Sequence, residues 1–247
     1  MNLYDSMMHR LKNLTGQINP KCFAYDENQL WQENNEYKMI FQNDMAYELG
    51  GGKKHSANLT CVTTNSDFFD GNQVILYGPD LKDISEPVSF ARISEVLVRE
   101  RAMTGDDEIY KMLQDIDFVK YHIFTDGYMS RTSGQSVREQ VRVSKKALKD
   151  GVSFEKIGNT YIRHYLDNPD VISVKITFLT TEKVDFSKLE KEADTATQIR
   201  RSLSMIQKGL PTECVSCEIK EICNQVEGLK ELHFGKKDKK IENSPIT

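Results

Sequence analysis

The sequence predicts an α+β fold, a mixed and largely antiparallel sheet region with packed helices and a small C-terminal metal-binding segment. Three observations predict it. Short runs rich in β-branched and aromatic residues crowd between positions 37 and 97, separated by glycines and by Asp-Gly and Gly-Pro pairs. From position 106 onward, apolar residues at helical spacing alternate with strand-like runs too irregularly for a doubly wound sheet. Cys214, Cys217 and Cys223 then fall within ten residues of one another. No internal repeat is visible.

Taken in order, Leu3–Thr15 sets Tyr4, Met7, Met8, Leu11 and Leu14 at the spacing of a short amphipathic helix, and Gly16 and Pro20 end that path before Cys22. Strand-like runs follow at Lys38–Phe41, Leu59–Thr64, Gln73–Tyr77 and Val88–Ala91, with turn chemistry at Gly50-Gly51-Gly52, Asp70-Gly71 and Gly78-Pro79-Asp80. Asp106–Val119 places Ile109, Met112, Leu113, Ile116 and Val119 on one helical face, with Thr104 as its expected N-cap. Thr125–Ser136, rich in Gly, Ser and Thr, reads as a loop. Val141 and Val143 flank Arg142 in a strand, Ser144 caps a short helix to Leu148, and Ser153 caps a longer one to Tyr165. Val171–Leu179 is again a strand, with Val174, Ile176 and Phe178 on one face. Ser187 and Glu190 form a capping-box pair for a helix carrying Leu189, Ala193, Ala196, Ile199 and Leu203, closed by Gly209 and Pro211. The expected organisation is an N-terminal helix and loop carrying Cys22 over 1–36, an α+β domain over 37–207, a cysteine segment over 208–235 and a frayed basic tail over 236–247.

The 247 residues, 38% hydrophobic and 28% charged, suffice for a substantial core without covalent staples. The apolar stretches are too short and too charged to cross a bilayer, and Asp5, His9, Arg10 and Lys12 interrupt any signal-peptide run, so neither membrane insertion nor export is expected. Five cysteines, an odd number, suit metal ligation in a reducing cytoplasm better than a disulfide framework. A formal charge of −4 without a basic stripe argues against nucleic acid as a partner. Gly50-Gly51-Gly52-Lys53 lacks the spacing of a phosphate loop, the five histidines are scattered, and Asp106, Asp107 and Glu108 read as the acidic first turn of a helix.

Cys214, Cys217 and Cys223 form a C-x2-C-x5-C motif directly after the helix-ending Gly and Pro. A two-residue gap lets two thiolates of one turn reach a common metal, and a short helix brings in the third. Cubane clusters and structural zinc usually take a fourth ligand, for which Cys22, Cys61 and His233 are the candidates. Cys61, inside Leu59-Thr60-Cys61-Val62, reads as a small core hydrophobe, which leaves Cys22 preferred; it would staple the N-terminus to the C-terminus. An all-thiolate donor set without paired C-x2-C knuckles favours a 4Fe–4S cluster over zinc. This layout is similar to the iron–sulfur staple of some DNA exonucleases, although their nuclease motifs are missing. Trp31 and Phe23 would then shield a cluster or simply pack in the core. The plain alternative for the cysteines is a set of unligated surface thiols.

Five segments in order, Ala46–Lys53, Val74–Ile84, Val141–Ala147, Phe154–Gly158 and Val174–Thr180, carry a resemblance. The stretch from Asp44 to about Ile206 resembles the middle region of the acetyl-CoA synthase β subunit of the carbon monoxide dehydrogenase complex. The resemblance implies an α+β domain, a setting in anaerobic one-carbon metabolism, and basic residues near a coenzyme A path. In the matched segment those would be Arg142 and Lys145, with Ser144 adding backbone donors at a helix start; the plain alternative is a solvated strand arginine and a helix-surface lysine. The nickel-binding Gly-Cys-Gly-Cys segment of that family is not present here, which argues against complete acetyl-CoA synthesis by this chain alone. The expected role is therefore an iron–sulfur component for electron transfer or binding, beside CO dehydrogenase, a corrinoid protein or a ferredoxin. The alternatives are a small acyl or methyl transferase with a coenzyme A or corrinoid surface and an open metal site, and a structural zinc protein.

Overall fold

In the computed structural model, residues 3–132, 137–209, 217, 219–226 and 228–232 are described. Cys214, Pro211, His233 and the basic tail lie outside them. The elements run α1 (Asp5–Thr15), β1 (Lys21–Ala24), β2 (Met45–Leu49), β3 (Ser56–Thr63), β4 (Gln73–Tyr77), β5 (Phe90–Val98), α2 (Asp106–Val119), β6 (Tyr128–Thr132), β7 (Glu139–Ser144), α3 (Lys145–Lys149), α4 (Phe154–Leu166), β8 (Val171–Leu179), α5 (Phe186–Gln207) and α6 (Lys220–Gln225).

Two sheets of mixed pairing carry the α+β architecture. The larger has the order β1-β4-β8-β5-β3, and the smaller has the order β2-β7-β6. β3 pairs with β5, and β4 with β8, in parallel, while the remaining pairs are antiparallel. Parallel neighbours need both sheet faces covered, and both are. α4 packs on β8 and β4, while α5 packs on β3 and reaches α1 and α6. Every residue of β3 and of β5 is consequently buried. The close approach of α4 to the sheet depends on Gly158, where an added Cβ would stand 2.5 Å from a Val74 methyl.

The alternation along the strands sorts the two faces. Phe90, Phe154 and Phe178 stack on the α4 side, the last two with centroids 4.6 Å apart. Cys61 lies on the opposite side, fully buried, its Sγ 3.7 Å from the Met7 sulfur of α1. Buried apolar residues from Leu3 to Leu232 join in one core, so α1 and α6 pack on the same body as the sheets. Arg10 of α1 also meets Glu192 of α5 through two hydrogen bonds of 2.7 and 2.8 Å.

Several local expectations shift. Thr104 does not cap α2: Gly105 holds that position, without a side-chain bond. Asp185, accepting from the Lys188 N–H, caps α5 in place of Ser187. The Thr125–Ser136 loop contains β6, which forms because its backbone pairs with β7 from Tyr128↔Val143 to Thr132↔Glu139. Lys38–Phe41 forms no strand and joins neither sheet; Ile40 turns inward, while Tyr37, Met39 and Phe41 are 45%, 54% and 63% exposed. Among the described residues no helix is long and apolar enough to cross a membrane.

Candidate functional site

The C-terminal segment is anchored through α6. Ile219, Ile222, Cys223, Val226 and Leu229 are buried, and α6 packs on α5. The Lys220 N–H donates to the Cys217 carbonyl and the Cys223 N–H to the Ile219 carbonyl, so the two cysteines belong to consecutive turns. Cys217 is half-buried against the core. Cys214, the third member of the motif, lies outside the described residues, as does His233. Cys22 lies elsewhere: it is exposed on β1, the edge strand opposite to β3, over which α5 sits. Among the described residues no three His, Cys, Asp or Glu side chains converge as metal ligands. Cys22, Cys217 and Cys223 are thus not brought together, and the N-terminus is tied down by α1 packing and the Arg10–Glu192 pair. Cys61 behaves as the core hydrophobe its neighbours suggest, and burial pushes its thiol pKa well up.

Arg142, Ser144 and Lys145 are engaged by the chain itself. The Arg142 guanidinium donates to Glu48 at 2.8 Å across the β2–β7 pair and to the Ile40 carbonyl at 3.4 Å. Lys145 reaches the Asn43 carbonyl at 3.0 Å. The Ser144 hydroxyl accepts the Ala147 N–H at 3.0 Å and caps α3, which is only five residues long. Together these contacts tie the segment from Ile40 to Glu48 onto β7.

Sequence reasoning missed the most concentrated polar chemistry of the molecule, which lies between the two sheets. Arg92 of β5 and Glu139 of β7 form an ion pair at 3.0 Å, with side chains 1% and 0% exposed. Glu139 also accepts from Asn58 and from Ser130, both at 2.5 Å, and the Arg92 guanidinium stacks 4.2 Å from the Tyr161 ring centroid. Burial by itself would pull Arg92 down, but the Glu139 carboxylate more than offsets it and the guanidinium stays charged. Burial also raises the Tyr161 phenol to about 12, with Arg92 opposing. The signal was a charge inside an apolar strand run, Phe90-Ala91-Arg92-Ile93, whose alternation sets Arg92 beside Ser94 on one face.

Next to this network, α2 and α5 enclose a cleft of about 800 Å³, lined by Tyr110, Gln114, Phe118, Tyr121, Arg200 and Arg201 among others. Asp117 also lines it and holds two cations, Lys120 at 2.7 Å and Arg200. A mixed cleft with aromatic walls and a few polar groups has the make-up of a binding site rather than of a catalytic nucleophile–base pair.

With this geometry in view, the comparisons are brief. A family model described as the CO dehydrogenase/acetyl-CoA synthase complex beta subunit matches residues 32–184, more than half of the chain. No curated protein matches.

Proposed function

The chain belongs to the CO dehydrogenase/acetyl-CoA synthase complex beta subunit family, and on that premise we propose that it serves one-carbon metabolism as an iron–sulfur component for binding and electron transfer. The carrying observation is how the chain divides. The matched residues 32–184 contain every strand except β1, whereas α5 and α6, with Cys217 and Cys223, follow the match and pack against its β3 side. An acetyl-CoA synthase-like domain thus bears an appended cysteine segment docked by its own apolar residues.

The fit of a cluster rests on the donor chemistry. Cys214, Cys217 and Cys223 supply thiolates only, which suits iron–sulfur ligation; the two described cysteines sit on consecutive turns, one buried and one half-buried. A bound 4Fe–4S cluster would pass single electrons. The chain's own contribution is to exclude water on one side through Ile219, Ile222 and Val226 and to leave the opposite side to a partner. CO dehydrogenase, a corrinoid protein or a ferredoxin is the class of partner this reading calls for.

Anaerobic purification with an absorption spectrum and iron, sulfide, zinc and nickel analysis tests the reading. Brown protein with iron and sulfide that are lost in Cys217→Ala/Cys223→Ala supports it. A colourless zinc protein sinks the electron-transfer role and leaves a structural metal.

A further inference from the structure

The end of α2 sets a buried cation beside an opening. The Lys120 side chain is 6% exposed, its ammonium stands 2.7 Å from Asp117, and it lies 5.1 Å from the Tyr121 ring centroid. Asp117 also holds Arg200 of α5, so one carboxylate faces two cations, and Arg92 of β5 adds to the positive field. Glu139 of β7 is already engaged by Arg92, Asn58 and Ser130. An ammonium carries three donors, and among the described residues the hydrogen-bond acceptor of Lys120 is Asp117. Burial holds Lys120 below the ordinary lysine range, with Asp117 opposing and Arg200 and Arg92 adding to the shift.

The opening beside it measures about 240 Å³, at the β6 edge away from β7. Tyr37, Tyr121, Ile123 and Phe124 give it an apolar side, and Lys120, Ser130, Arg131 and Thr132 line the rest. Tyr37 and Phe124 meet edge to face with centroids 6.2 Å apart. Against about 30 Å³ for a water's share of liquid volume, the space has room for a compact single-ring ligand. Cations at the opening, Lys120 and Arg131, beside the rings of Tyr37, Tyr121 and Phe124 call for an anion that also carries a flat apolar body. Phosphate has no such body and would leave the Tyr37 and Phe124 rings uncovered.

We propose that this pocket binds a small monocarboxylate with an apolar or aromatic body, its carboxylate on the Lys120 ammonium and its body against Tyr37 and Phe124. The site stands independently of the cysteine segment and of the electron-transfer reading. Anion binding there relieves the excess positive charge around Asp117.

The test titrates benzoate, and separately inorganic phosphate, into the full chain at constant ionic strength, followed by calorimetry and by NMR. Benzoate is expected to saturate, to shift resonances of Tyr121, Phe124 and Thr132, and to bind at least tenfold more weakly to Lys120→Met. Lys120→Arg restores binding and keeps it at alkaline pH, where the native chain loses it as Lys120 deprotonates. Unchanged affinity in Lys120→Met overturns the proposal, as does phosphate binding as tightly as benzoate, or shifts that never saturate. Should Lys120→Met fail to fold, the resonance map of the native chain decides, and shifts confined to other surfaces refute the site.

Discussion

Replacing Glu139 by Gln keeps the shape of the side chain and removes its charge, at a position where water cannot take over. Glu139 is fully buried and receives bonds from Arg92 at 3.0 Å, from Asn58 at 2.5 Å and from Ser130 at 2.5 Å. The variant leaves the Arg92 guanidinium buried without a counter-charge and turns an amide NH2 toward groups that are themselves donors. Breaking one partner of a buried pair costs about 3–5 kcal/mol, a large share of the ~5–15 kcal/mol that stabilises a typical domain. At ~2–4 °C per kcal/mol for a chain of this size, Tm falls by roughly 6–20 °C. Urea unfolding followed by far-ultraviolet circular dichroism and by Trp31, the one tryptophan and a buried one, measures it directly. The paired change Arg92→Met with Glu139→Leu removes both charges but leaves Asn58 and Ser130 unpaired at ~1–3 kcal/mol each, so it is expected to recover only the part of the loss that comes from the uncompensated guanidinium. A cost below about 1 kcal/mol for Glu139→Gln alone would refute the view that this pair is dry and holds the two sheets in register.

Three further outcomes follow from the packing. Gly158→Ala destabilises by ~1–3 kcal/mol through overpacking, despite the helix propensity of alanine, because the new Cβ meets both Val74 methyls at 2.5 and 2.6 Å; urea melts that show a gain would mean that α4 stands farther from β4. In mass-mapped thiol labelling of the native chain, exposed Cys22 reacts at once and Cys61, buried with a raised pKa, reacts only on unfolding; early modification of Cys61 would contradict its place beneath α1. Arg10→Ala shifts the midpoint by no more than ~1 kcal/mol, since Arg10 is 51% exposed, and a larger loss would show that the pair does more than tie α1 to α5.

Where local pattern and tertiary role agree, the sequence was legible almost to the residue. Gln73–Tyr77 and Val171–Leu179 are apolar runs bounded by turn residues, and both are strands with those limits. Ser144 and Ser153 cap the helices they precede because a short hydroxyl at that position reaches an orphan N–H whatever surrounds it. β6 was hidden because its strand character comes from pairing with β7, a contact that Gly, Ser and Thr around it do not announce. Lys38–Phe41 has the opposite fault: its composition is strand-like, yet no strand pairs with it, and of its apolar residues only Ile40 is buried while Met39 and Phe41 face outward. Arg92 and Lys120 look solvated in one dimension; only the stacking of two sheets buries the first, and only the approach of α5 gives the second a shared carboxylate. The cysteine motif was visible, but which distant cysteine lies near it depends on strand order, which no spacing encodes.

Strand order also bears on the place of Cys22. The order β1-β4-β8-β5-β3 puts four inter-strand steps between β1 and β3. At ~4.8 Å per step that is about 19 Å across the sheet, and α5, which carries α6 and Cys223, packs on the β3 side. Thiolates on one metal centre must sit within a few ångströms of it, with iron–sulfur and zinc–sulfur bonds alike near ~2.3 Å. Bringing Cys22 into such a centre would mean unpairing β1 from β4 along all four registered positions from Lys21↔Leu76 to Ala24↔Gln73. Cys22→Ala is therefore expected to leave iron, sulfide and zinc content per chain unchanged, whereas Cys223→Ala lowers whichever metal is present. Metal lost on Cys22→Ala with the fold intact by circular dichroism would show that β1 leaves the sheet when the centre forms, and the fourth ligand would then be Cys22 after all.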